Sequence, residues 1–122
     1  MKEKKILVVD DEKDILPVLK ERLSQKSYSV ITSDSGKGGV KLAKSELPDL
    51  ILLDIIMPDM DGIEVATKLK EDPKTKDIPI IFLTCLYTKE DEKARGHFTA
   101  GHAFIAKPYD FEELLAQIRK FI

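Results

Sequence analysis

The chain has 122 residues, a formal net charge of −2, 43% hydrophobic residues and 34% charged residues, which fits one folded domain and excludes a disordered or membrane-embedded chain. Both signs of charge are mixed along it, so it carries no dedicated nucleic-acid surface. The longest apolar run is too short to span a bilayer, Met1–Lys5 leads into a strand rather than a signal peptide, and one cysteine suits a reducing cytoplasm.

The first predicted strand, Lys5-Ile6-Leu7-Val8-Val9, is wholly apolar after its lysine and ends in Asp10-Asp11-Glu12. A helix follows from about Lys13 to Gln25, with Ile15, Leu19 and Leu23 four apart on one face and Pro17 near its first turn. Tyr28 to Thr32 reads as a short strand, and Ser33-Asp34-Ser35-Gly36 as a turn and cap. The second helix, to about Glu46, is weakened by Gly38 and Gly39 and buries Val40 and Ala43. Leu50 to Asp54 is the central strand: apolar without a break, as in a parallel strand covered on both faces, and closed by one carboxylate. Pro58 breaks the chain, and Asp61-Gly62 opens a third helix with Ile63, Ala66 and Leu69 on one side, ending near Asp72-Pro73.

Ile78 to Leu83 is another buried strand and delivers Thr84 and Cys85. From Thr88 to about Phe98 the helical pattern is poor, with Ala94 and Phe98 nearly its only apolar residues. Ala103-Phe104-Ile105-Ala106 is a short last strand ending in Lys107-Pro108. Asp110 then caps a final helix with Phe111, Leu114, Leu115, Ile118 and Ile122 at helical spacing. Five strands alternating with five helices, without internal repeats, make a single domain over residues 1–122. Right-handed crossovers then require a parallel sheet with helices on both faces.

Four strands end in polar groups: Asp10 and Asp11, Asp54, Thr84 and Lys107. A parallel sheet puts these tips on one edge, where open α/β sheets bind ligands. A lone Asp at the tip of an apolar strand is costly to bury and serves no packing purpose. Three carboxylates that close need a cation, and oxygen-only ligands suit Mg²⁺. With a lysine and a threonine hydroxyl beside them, they point to phosphoryl transfer with Asp54 as nucleophile.

These residues resemble the receiver domains of two-component response regulators. The likeness covers essentially the whole chain: Asp10-Asp11, Asp54 followed by Met57-Pro58 and Asp61-Gly62, then Thr84, then Lys107-Pro108. It implies a flavodoxin-like (βα)5 doubly wound sheet with strand order 2-1-3-4-5, for which the family supplies a standard example. It implies a phosphoryl group taken by Asp54 from a sensor histidine kinase or phosphotransfer protein. Mg²⁺ would be held by Asp11, Asp54 and the backbone carbonyl of Ile56, with Asp10 assisting. Lys107 would pair with the phosphate, Thr84 would hydrogen-bond it, and Phe104 would be the switch aromatic. The Lys107–Pro108 bond is expected to be cis. Output would run through the face built from the fourth helix, fifth strand and fifth helix, toward an unknown protein target or an output domain outside this chain.

Each residue also has a plainer reading. Asp10 and Asp11 could be helix caps, Lys107 a solvated strand-end charge, and Thr84 an ordinary strand residue. Ser35-Gly36-Lys37-Gly38-Gly39 lacks phosphate-loop spacing and reads as a surface helix start. His97 and His102 are too few for a metal site and read as surface or strand-edge residues. Cys85, where the family has a smaller residue, is expected to be a mostly buried thiol crowding the phosphate pocket. Ile56 and Leu86 stand where fast members carry polar groups, so a long-lived phosphorylated state is expected. A phosphatase or phosphotransferase of haloacid-dehalogenase type also uses an aspartyl phosphate, but needs an acid two residues after the nucleophile, where Ile56 stands. A phosphate-independent, degenerate receiver is the other alternative, and the intact set of key residues gives it no support. Gly101-His102-Ala103-Phe104 replaces the acidic pair through which one receiver subfamily dimerises, so that style of dimer is not expected.

Overall fold

The apolar runs that lack any polar alternation lie, as parallel pairing demands, at the centre of the sheet. In the computed structural model, which describes residues 3–86, 88–95, 98–99 and 102–122, six strands and five helices follow one another. They are β1 (Lys5–Val9), α1 (Ile15–Ser24), β2 (Ser29–Ser33), α2 (Gly36–Glu46), β3 (Leu50–Asp54), α3 (Gly62–Glu71), β4 (Ile80–Thr84), α4 (Lys89–Arg95), β5 (Phe98–Thr99), β6 (His102–Ala106) and α5 (Phe111–Arg119). The sheet order is β2-β1-β3-β4-β6-β5. Its five parallel strands thus have the expected 2-1-3-4-5 arrangement, and the two-residue β5 adds an antiparallel edge to β6.

Both faces are covered. On one, Leu16, Leu19 and Leu23 of α1 and Phe111, Leu114, Leu115 and Ile118 of α5 pack on Ile6, Val8, Leu50 and Leu52. On the other, Ala43 of α2 and Val65, Ala66 and Leu69 of α3 pack on Leu7, Val9, Ile51, Leu53, Phe82 and Phe104. Register then decides function: Val9 lies beside Leu53, Asp54 beside Leu83, and Thr84 beside Ala106. The residues at or just past those positions, Asp10, Asp54, Thr84 and Lys107, therefore leave the sheet along one edge.

Local chemistry starts the helices. Ser35 accepts from the Gly38 N–H at 3.0 Å, Asp61 from Glu64 N–H at 2.8 Å, and Asp110 from Glu113 N–H at 2.8 Å with Glu113 reciprocating in a capping box. The Ser35 stretch is a helix start, as its spacing suggested. Gly39, read as a weakness, is a packing requirement: a Cβ there would lie 2.8 Å from Cγ2 of Val9. The glycine lets α2 approach β1, and Val40 is only half-buried.

The largest difference from expectation is after β4. The segment expected as a helix from Thr88 to about Phe98 stops at Arg95, and Phe98–Thr99 is strand instead. A sequence with almost no apolar stripe cannot hold a long helix on the sheet by burial. At smaller scale, α1 begins at Ile15 rather than Lys13, and Leu16 rather than Ile15 is its first buried residue. In α3, Val65 is buried where Ile63 was expected to be, and Ile63 is exposed. No helix among the described residues is long and apolar enough to cross a membrane.

Candidate functional site

The site is built where the chain leaves β1, β3, β4 and β6. Asp10 is 1% exposed, and one of its oxygens accepts from the Glu12 N–H at 2.9 Å, closing the turn that points the acid inward. The other oxygen accepts from Lys107 Nζ at 2.8 Å. The same ammonium lies 3.6 Å from Asp54 and 3.4 Å from Glu12. Lys107 is aimed by its own backbone, whose N–H donates to the carbonyl of Thr84 at 2.8 Å, and its bond to Pro108 is cis, as expected. Asp54 is 5% exposed and accepts from the Ile56 N–H at 3.3 Å. Buried charges this close are tolerated only when paired.

The electrostatics are uneven. Burial pushes Asp54 up to about 6; Lys107 pulls it down, Asp10 pushes it up, the Ile56 N–H lowers it and Asp11 raises it again. For Lys107, burial works against its charge, but the hydrogen bond to Asp10 and the charges of Asp10, Asp54 and Glu12 outweigh it and hold the ammonium above the usual lysine range. Asp10, Glu12 and Asp54 each offer an oxygen within 4.8 Å of the others. Asp11 is not a member of that trio and acts on Asp54 through its charge. Three carboxylates face one ammonium, so the cluster has room for a second cation, and its oxygen-only donor set fits Mg²⁺.

Thr84 is fully buried, and its Oγ1 accepts from the Leu86 N–H at 3.0 Å. Phe104, also fully buried, lies on the α3 side of the sheet. Ile56 and Leu86 flank the cluster, 50% and 53% exposed. Cys85 corrects the sequence reading: its thiol is exposed rather than buried, because the chain leaves the sheet immediately after Thr84. It borders a groove of about 570 Å³ with Val18, Lys107 and Tyr109. His102 is half-buried, its ring edge-on to Phe82 at 5.4 Å, and burial followed by the charge of Lys70 pushes its pKa down. His97 lies outside the described residues.

Sequence reasoning missed three side chains. Glu12 joins the acid cluster, and the run of three consecutive acids was its only signal. Asp59 accepts from the N–H groups of Gly36 and Lys37 at 3.0 Å each, tying the loop after β3 to the start of α2. Those bonds, Lys37 first, hold its carboxyl below the usual range. Glu92, in the segment read as poorly patterned, is buried.

Comparison with known proteins agrees with this geometry. The family model described as the response regulator receiver domain matches residues 6–119. The response regulator PleD of Caulobacter vibrioides is 39% identical over 115 residues, covering 94% of this chain and 25% of that protein. The regulatory protein PhoP of Bacillus subtilis, named for alkaline phosphatase synthesis, is 37% identical over 119 residues, 98% of this chain and 48% of that protein. The chain thus spans between a quarter and a half of these two relatives. Among solved structures, the chemotaxis response regulator CheY4 of Vibrio cholerae superposes with a TM-score of 0.85 at 27% identity, covering 99% of this chain and all of that one. The response regulator TrrA of Thermotoga maritima, solved in complex with Mg²⁺–BeF, gives 0.80 at 36% identity and covers 98% and 99%. The chain belongs to the receiver domain family of two-component response regulators.

Proposed function

We propose that the domain is a phosphorylation-controlled switch in which Asp54 accepts a phosphoryl group from a phosphohistidine on a sensor histidine kinase or phosphotransfer protein. The observation that carries this reading is a nearly buried carboxylate at the tip of the central strand, pushed up to about 6, with an ammonium 3.6 Å away on the same sheet edge. In the transfer, an Asp54 oxygen forms a bond to phosphorus, the phosphorus–nitrogen bond breaks, and the imidazole nitrogen leaves with the electron pair. Lys107 and Thr84 bind oxygens of the transferred group, an arrangement in which catalysis is positioning and charge stabilisation. Asp10, Asp11, Asp54 and the backbone carbonyl of Ile56 would hold Mg²⁺, with Glu12 in the same acid cluster. When bound, the ion neutralises charge on the phosphoryl oxygens.

The domain catalyses only its own phosphorylation and dephosphorylation, acts in the cytoplasm, and works by docking to a protein partner or a linked output domain. The structure of a relative with Mg²⁺–BeF supports the ligand pair. The groove between α1 and the Pro108 segment opens beside Lys107 and suits a donor protein's approach.

A small phosphodonor with Mg²⁺ should label the parent protein at Asp54 alone, while Asp54→Asn takes no label and Asp11→Asn loses Mg²⁺ binding. Substantial labelling of Asp54→Asn would remove Asp54 from its role. Activity that survives with no labelling at all would favour a phosphate-independent module.

A further inference from the structure

The fourth helix is attached to the sheet by charge. Its sequence, Lys-Glu-Asp-Glu-Lys-Ala-Arg, has no apolar stripe. Among its described side chains Glu92 is the buried one, at 4% exposure, while Ala94, the expected apolar contact, is exposed. A buried carboxylate on so polar a helix needs partners, and Glu92 has strong ones. Its Oε2 accepts from the backbone N–H of Ala106 at 2.7 Å and from Lys89 Nζ at 2.9 Å. Lys89 also donates to Glu113 on α5 at 3.0 Å. Burial acts against the Lys89 charge, and the bonds to Glu92 and Glu113 outweigh it.

Ala106 is the last residue of β6, and the next residue is Lys107. Ala106 lies beside Thr84, and the Lys107 N–H donates to the Thr84 carbonyl at 2.8 Å. One side of this short backbone segment is thus fixed to β4 and the other to the carboxylate of α4. Among the described residues, β5 pairs with the start of β6, through Ala103 and His102. Glu92 serves the far end of the same strand, where its carboxylate supplies the acceptor for the Ala106 N–H.

We propose that Glu92 is a positioning residue: by holding the Ala106 N–H it fixes the backbone from which Lys107 reaches Asp10 and Asp54, and so ties the placement of α4 to the phosphoacceptor site. This rests on the phosphoacceptor reading of Asp54 only for its consequence in labelling. A charge-assisted hydrogen bond to a buried backbone N–H is strong yet directional. A shift of α4 therefore breaks it outright rather than sliding it, as an apolar seam would.

The test compares the parent with Glu92→Gln, Glu92→Ala and the exposed neighbour Glu90→Gln, which removes the same charge without touching β6. Amide hydrogen exchange at Ala106, referenced to the central-strand Ile51, should rise about tenfold in Glu92→Ala and less in Glu92→Gln, which keeps an acceptor oxygen. The Lys107 amide and ammonium resonances should move in both Glu92 variants and stay in place in Glu90→Gln. Labelling of Asp54 by a small phosphodonor at saturating Mg²⁺ should slow several-fold in the order Glu92→Ala, then Glu92→Gln, with Glu90→Gln at the parental rate. Unchanged Ala106 exchange and Lys107 resonances in Glu92→Ala would overturn the proposal, as would parental labelling rates in a variant whose Lys107 resonances had moved. If the parent itself takes no label, the phosphoacceptor reading fails, and the exchange and resonance data still decide whether Glu92 holds Lys107.

Discussion

At the scale of single residues, the proposed phosphoacceptor carboxylate works against folding. Asp54 is pushed up to about 6 in the folded chain, against about 3.9 in an unfolded one. The folded state therefore holds a proton that the unfolded state releases between those values. That contribution is present below about 4 and is lost as pH rises through about 6. Without divalent ions, Asp54→Asn should be more stable than the parent at pH 7.5 by about 1–3 kcal/mol, with the gap closing toward pH 4. Denaturant unfolding in a chelator at both pH values measures this, and an equal gap at both would refute the linkage. Mg²⁺ binding, which needs the ionised acid, should weaken as pH falls below about 6. We propose that Ile56 and Leu86 govern a different quantity. Both are half-exposed beside the site and neither side chain can hydrogen-bond a water aligned for attack on phosphorus. Losing one positioning group slows such a step about tenfold, roughly 1.4 kcal/mol of barrier, so the phosphorylated state should be long-lived. Decay after donor removal should be faster in Ile56→Asn with Leu86→Glu; a parent that already decays as fast would show that these positions do not set the lifetime.

At the scale of elements, the loop from β3 to α3 is held by a close backbone approach at Gly62. Its N–H donates to the Ile55 carbonyl at 2.7 Å, and an added Cβ would meet the Asp54 carbonyl oxygen and come within 2.8 Å of Ile55 Cα. Those neighbours are main chain and cannot swing aside, so Gly62→Ala should cost about 1–3 kcal/mol and displace Asp54. Chemical unfolding and Mg²⁺ titration of this variant test both effects, and a variant with parental values in each would mean the loop yields freely. This glycine was visible in the sequence as part of an Asp-Gly pair, but its reason was not, since what a Cβ would strike is a fact of packing. The parallel strands were legible because unbroken apolar runs have few other uses, and with them came the edge that gathers Asp10, Asp54, Thr84 and Lys107. The fourth helix was not legible in the same way. Its anchor is a glutamate, which periodicity counts as solvent-facing, and only the tertiary position of the Ala106 N–H reveals why it is buried. Glu12 escaped for a related reason: whether it joins the cluster from the surface depends on the turn closed by Asp10.

For the whole molecule, the face made by α4, β6 and α5 is the one we propose for joining a partner. Symmetric pairing through that face in one receiver subfamily uses acids just before the switch aromatic. Here those positions are His102, half-buried against Phe82, and Ala103, buried beneath the sheet's surface. Neither offers a charge to a second copy. Among the charges on this face, Lys89 is engaged within the chain, bridging Glu92 and Glu113. A partner ion pair drawn from that bridge would first have to break it, and exposed pairs return only about 0.2–1 kcal/mol each. Phosphorylation is therefore expected to leave the domain without that style of dimer. Light scattering with a beryllofluoride mimic and Mg²⁺, followed by cross-linking mapped to α4 and α5, measures it. A tight symmetric dimer through this face would show that apolar or backbone contacts, rather than the missing acids, govern association here. A monomer that binds the mimic would leave the same face available for a different protein, with the Lys89–Glu92–Glu113 bridge as the set of contacts such a partner must replace.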